Sequence, residues 1–134
     1  MPVHYSISSA TSVVYVKVVG DLSYPDLIEH INQLSEDELY RAPMKNIFDY
    51  RLCTNNRLTI SETRQYANKK ISLSHVFLNE MCAIIAPQDI NYGLGRFQEI
   101  ITSSSNFLTC VFRSLEEGLS WLDIDPCEFQ DVVF

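Results

Sequence analysis

The side chains that could do chemistry in this chain are spread out and do not form sets. Four cysteines, Cys53, Cys82, Cys110 and Cys127, stand far apart with no C-x-x-C pair, and His4, His30 and His75 are each isolated. A zinc site needs ligands at short, repeated spacing, so this pattern predicts reduced thiols, two of them inside apolar runs, and no metal. No Gly-x-Ser-x-Gly turn supports a Ser-His-Asp arrangement. The paired carboxylates Glu116 and Glu117 fall in the first turn of a predicted helix, where the dipole accounts for them. Tyr92-Gly93-Leu94-Gly95-Arg96 holds Gly-x-Gly but lacks the dinucleotide fingerprint, because its first glycine lies inside a predicted helix and no third follows. These residues predict no enzyme and call for no cofactor.

What remains is binding chemistry. The stretch from Arg51 to Thr59, with Arg51, Thr54, Arg57 and Thr59, leads from a predicted strand into a predicted helix. Ligands of open α/β sheets bind at the carboxyl ends of strands, beside helix N-termini whose free N–H groups carry partial positive charge. Two arginines there would draw a carboxylate or phosphate of a partner. Asp89, Tyr92 and Arg96 follow the next predicted strand and would share that rim. The plainer reading pairs Arg51 with Asp49, leaves Arg57 solvated, and makes Thr59 a helix cap. Tyr92, Gly93 and Arg96 would also suit a subunit contact in a homodimer.

Charge distribution supports the same surface. The chain has 134 residues and a net charge of -7. Between Arg41 and Lys70, however, seven bases face two acids, whereas Leu115 to Phe134 holds six acids and no base. Overall acidity disfavours nucleic acid as a partner. The hydrophobic content of 46% with 20% charged residues is that of a globular domain. Met1 to Tyr5 lacks the pattern of a signal peptide, and the longest apolar run, Met81 to Ala86, is too short to span a bilayer, so the expected location is cytoplasmic.

The elements that position these residues follow from local pattern. His4–Ser9 and Ser12–Gly20 read as a strand pair around a short polar turn. Ser23 with Asp26, and Pro25 in the first turn, start a helix whose inner face is Tyr24, Leu27, Ile28, Ile31 and Leu34. Lys45–Tyr50 is a third strand that enters a polar loop, Arg51 to Arg57. Thr59 and Glu62 form a capping box for a second helix with Ile60, Thr63, Ala67 and Ile71 inward. Met81–Ala86 is apolar throughout, as in a parallel strand covered on both faces. Pro87-Gln88-Asp89 opens a third helix with Ile90, Leu94, Phe97 and Ile101 inward. Phe107–Phe112 is a buried strand, and Ser114 with Glu117 starts a last helix. The order ββαβαβαβα predicts an α/β domain over residues 1–123, with a mostly parallel five-stranded sheet and four helices. Residues 124–134 form an acidic and apolar tail that Pro126 separates from the last helix.

This order, with Val16-Lys17-Val18-Val19-Gly20-Asp21-Leu22, Ile47-Phe48-Asp49-Tyr50-Arg51, Ala86-Pro87-Gln88-Asp89-Ile90-Asn91-Tyr92-Gly93-Leu94 and the segment Val111 to Leu122, resembles the STAS/SpoIIAA-like superfamily, in particular its bacterial stand-alone members. The resemblance implies a SpoIIAA-like fold used to dock regulatory protein partners or to hold small ligands or lipids, without chemistry of its own. In the anti-sigma-antagonist members a serine after strand three is phosphorylated. The corresponding stretch here lacks their Asp-Ser-Ser-Gly phrase and offers only Thr54 and Thr59 as hydroxyls.

Overall fold

A run of β-branched residues from Val13 to Val19 forms the spine of the molecule, because such side chains pack well on a pleated surface. The computed structural model of the protein describes residues 2–130. Its elements are β1 (Val3–Ser8), β2 (Val13–Leu22), α1 (Tyr24–Glu36), β3 (Lys45–Asn56), α2 (Ile60–Ser72), β4 (Met81–Ile85), α3 (Asp89–Thr102), β5 (Leu108–Phe112), α4 (Leu115–Leu122) and α5 (Pro126–Gln130). The sheet runs β1-β2-β3-β4-β5, with β1 antiparallel to β2 and every other neighbour parallel.

Strand periodicity divides the core in two. Val14, Val16, Val18, Phe48, Cys82 and Ile84 point to one face and pack beneath Leu27, Ile31 and Leu34 of α1 and Tyr66 of α2. Val13, Tyr15, Ile47, Ala83 and Ile85 point to the other and pack against Leu119 and Leu122 of α4. Gly118 sits where a β-carbon would collide with Ile85 Cδ1, so α4 lies directly on the strands.

Helix starts follow the expected caps. The Ser23 N–H donates to Asp26 at 3.0 Å. Thr59 and Glu62 exchange bonds of 3.0 Å each way, and the Glu117 N–H donates to Ser114 Oγ at 3.2 Å. Each satisfies backbone donors that the first turn leaves open.

Three expectations are corrected. Strand three does not end at Tyr50; it continues to Asn56 alongside β2, which runs on to Leu22, with register shifts between Lys17 and Val19 and between Gly20 and Asp21. The stretch reads as a loop because β4 stops at Ile85, opposite Asp49, so residues beyond pair on one side only. There are five helices among the described residues, not four. The short α5 starts at Pro126, where a missing N–H costs nothing. Its Phe129 and the preceding Ile124 are buried in the second core. The tail residues 131–134 lie outside the described residues. The third correction concerns α3, whose buried residues are Asn91, Gly95 and Thr102.

Candidate functional site

The rotation of α3 creates the site. Gly95 faces the sheet so closely that a β-carbon there would stand 2.7 Å from Val111 Cγ2. Asn91 is buried one turn earlier. Its Oδ1 accepts from Asn56 Nδ2 at 2.9 Å and its Nδ2 donates to Gln88 Oε1 at 3.0 Å. Gln88 Nε2 in turn donates to the carbonyls of Tyr50 and Cys53, at 3.2 Å each. A glycine contact and a chain of side-chain amides therefore seat α3, and the apolar stripe is turned away from the sheet.

That stripe forms one wall of an open groove of about 570 Å³ between the starts of α2 and α3. Ile90, Leu94 and Phe97 line it from α3, Ile60 from α2, and Leu58 from the segment that leads into α2. Ile60 and Ile90, both expected in the core, are each 62% exposed. Gly93 lies between them with nothing within 4 Å of where a β-carbon would be, so it has no packing reason to be glycine and leaves the groove wall bare.

The residues expected at the rim are only partly brought together. Thr59 and Asp89 line the groove. Asp89 is paired with Arg113 at 2.7 Å, and the same guanidinium lies 4.0 Å from the centre of the Tyr92 ring. Arg113 was not anticipated from sequence. It follows β5 as Asp89 follows β4, and adjacent parallel strands bring the two together. Arg96 points elsewhere and pairs with Glu99 at 2.7 Å. Arg57 forms an exposed pair with Asp21 at 2.9 Å. Thr54 is exposed on the extended part of β3.

Arg51 belongs to another face. Its guanidinium grips Asp49 with bonds of 2.8 to 3.0 Å, and Tyr15 donates to Asp49 Oδ2 at 2.6 Å. Tyr15 lies in the core under α4 and α5, so this triad is on the opposite side of the sheet from the groove. The hydrogen bond to Asp49 pushes the Arg51 pKa up despite partial burial. Burial first, and then the bond to Asp49, raise the Tyr15 phenol to about 12. Both arginines of the expected anion site thus already hold acids, and the groove itself is apolar.

Beneath α2 lies a second polar group, fully enclosed. Lys70 Nζ meets Glu80 Oε1 at 2.5 Å, Tyr40 donates to Glu80 Oε2 at 2.5 Å, and the ammonium sits 4.8 Å from the centre of the Phe107 ring. Burial opposes the Lys70 charge, but Glu80 raises its pKa overall. His30 is buried close by with Nδ1 unpartnered, and burial together with the Lys70 charge lowers its pKa to about 3. Burial raises the Cys82 thiol to about 12. The cavity lined by Tyr50, Tyr66, Lys70 and Gln98 measures about 10 Å³, room for one water molecule. His75 lies exposed at the surface. Among the described residues, no three His, Cys, Asp or Glu side chains gather as a metal site, and no helix is long and apolar enough to cross a membrane.

Among solved structures, the fold is similar to that of an uncharacterized protein of the DUF3478 family with a SpoIIAA-like fold from Shewanella loihica PV-4. The TM-score is 0.50 at 17% identity, over 90% of this chain and 91% of that one. At that identity the likeness is one of fold, and it shows the SpoIIAA-like architecture that the sequence led us to expect. No family model matches the chain, and no curated protein matches it.

Proposed function

We propose that this chain is a non-enzymatic docking module whose α2–α3 groove receives an amphipathic helix of a partner protein. One observation carries the reading: an apolar stripe at helical spacing, Ile90, Leu94 and Phe97, faces a groove and not the core. Exposed apolar surface with a defined shape marks an interaction site. The stripe runs about 10 Å along α3. An i, i+4, i+7 ridge on α3 beside the start of α2 suits helix-in-groove recognition. Gly93 permits close approach of the partner's backbone.

Charge has a secondary part in this reading. Arg57 and Asp21 form a surface pair, a type of contact worth no more than about 1 kcal/mol, so Arg57 can exchange Asp21 for a partner's acid. The rival expectation, a lipid or small ligand held inside the domain, needs a cavity of a few hundred Å³. The space beneath α2, about 10 Å³, is too small for one, which leaves that reading only the recesses at the surface.

The test replaces Ile90 by Asp and Gly93 by Trp. Capture of a defined partner should weaken more than tenfold in each, as expected when a buried anchor or its pocket is lost, on the order of 2 kcal/mol. Thermal unfolding should change little, because both positions face solvent. Unchanged capture by both variants would remove the groove from the binding surface.

A further inference from the structure

At the other end of the sheet, where the parallel strands begin, lies a recess of about 370 Å³ lined by Ser9, Ser12, Leu39, Arg41 and Met44. It is formed by the β1–β2 turn and the connection from α1 to β3, remote in the topology from the groove that follows β3 and β4. Its polar side chains, all exposed, have no protein partner among the described residues. Arg51, Arg57, Arg96 and Arg113 are ion-paired and Arg64 lies 5.1 Å from the centre of the Phe97 ring; among the described residues, Arg41 alone of the six arginines has neither kind of contact. The Ser9 and Ser12 hydroxyls likewise make no hydrogen bond among the described residues, although Ser8 and Thr11 in the same turn bond each other at 2.8 Å.

The turn that carries the serines is strained and held. Ser12 has φ of +57°, a left-handed conformation unfavourable for a residue with a side chain. Its carbonyl accepts the Lys45 N–H at 3.0 Å, which ties the turn to the start of β3. Strain of this kind persists only where its surroundings over-determine it, and it clusters at ligand sites. No carboxylate lines the recess, in a chain of net charge -7.

We infer that this recess binds a small organic oxyanion, with its carboxylate or phosphate on Arg41 and the Ser9 and Ser12 hydroxyls and its apolar body against Leu39 and Met44. A guanidinium presents paired donors to such groups, and two hydroxyls supply further donors. Leu39, 54% exposed, and the buried Met44 give the body an apolar wall.

The experiment is a titration of the full chain followed by amide NMR, with acetate, hexanoate and inorganic phosphate as probes. Saturable shifts at Ser9, Ser12 and Arg41, stronger for hexanoate than for acetate, are expected. Arg41→Gln should weaken hexanoate binding about tenfold, the worth of a charge-assisted contact. Lys69→Gln, an equal change of charge outside the recess, should leave it unchanged. Absence of shifts at these residues with every probe, or equal weakening by both variants, would overturn the assignment. Equal binding of acetate and hexanoate would overturn the role given to Leu39 and Met44. None of these positions lines the docking groove, so the two proposals succeed or fail separately.

Discussion

Gly95 and Val111 meet where α3 crosses β5, with space for a hydrogen but not for a methyl group: a β-carbon on Gly95 would come within 2.7 Å of Val111 Cγ2. This contact sets the rotation of α3 and so decides that Ile90 and Phe97 look outward.

Gly95→Ala should therefore destabilise the fold by about 1–3 kcal/mol through overpacking. Gly93→Ala, two residues away on the open side, should stabilise it by up to about 1 kcal/mol, since alanine is the better helix former and meets nothing. Urea unfolding of the two variants checks the pair; similar losses in both would contradict the rotation of α3.

Much of this architecture is legible in the chain. The β-branched run of β2, the capping box at Thr59, the serine cap at Ser114 and the wholly apolar β4 announce their elements through local chemistry. The direction of a helix face is different information. Periodicity identifies Ile90, Leu94 and Phe97 as one stripe, but the same stripe would serve a core or a partner. Asn91 and Gly95 decide between them, by contacts with Asn56 and Val111 that are distant in sequence. Arg113 escaped notice for the same reason, being 24 residues from its partner Asp89. Five residues of α5 are too few to leave a period.

The Arg51 triad predicts a contrast between the two arginines. Arg51→Ala leaves Asp49, whose side chain is 4% exposed, without its cation, and should cost on the order of 1–3 kcal/mol. Arg57→Ala removes an exposed pair and should cost no more than about 1 kcal/mol. Melting temperatures of the single variants measure this; equal effects would contradict the placement of Arg51 on the α4 face.

The buried pair under α2 should be intolerant of single changes. Glu80→Gln leaves the Lys70 ammonium enclosed and uncompensated, at about 3–5 kcal/mol. Combining it with Lys70→Met should cost less than the sum of the two single changes, since the charge left unpaired is then removed as well. A double-mutant cycle in urea tests the coupling, and additive losses would argue against it.

His30 makes the fold acid-sensitive. Its folded pKa of about 3 lies below the ordinary 6.5, so the unfolded chain binds the extra proton between those values. Its contribution is complete above about pH 6.5 and falls as pH drops towards 3, with a slope approaching about 1.4 kcal/mol per pH unit. His30→Leu should flatten stability over that window. A profile unchanged by the substitution would show that His30 does not cause the loss.

The docking claim is tested most directly by a photo-cross-linking residue placed at Ile90, with a second at Leu108 on β5 as control, in cells that express the chain. The account predicts one partner polypeptide cross-linked from position 90, through a segment with apolar residues at helical spacing, and lost when Ile60→Asp is added. A cross-link from position 90 to a second copy of the chain, to nothing, or to the same proteins that position 108 captures would contradict it.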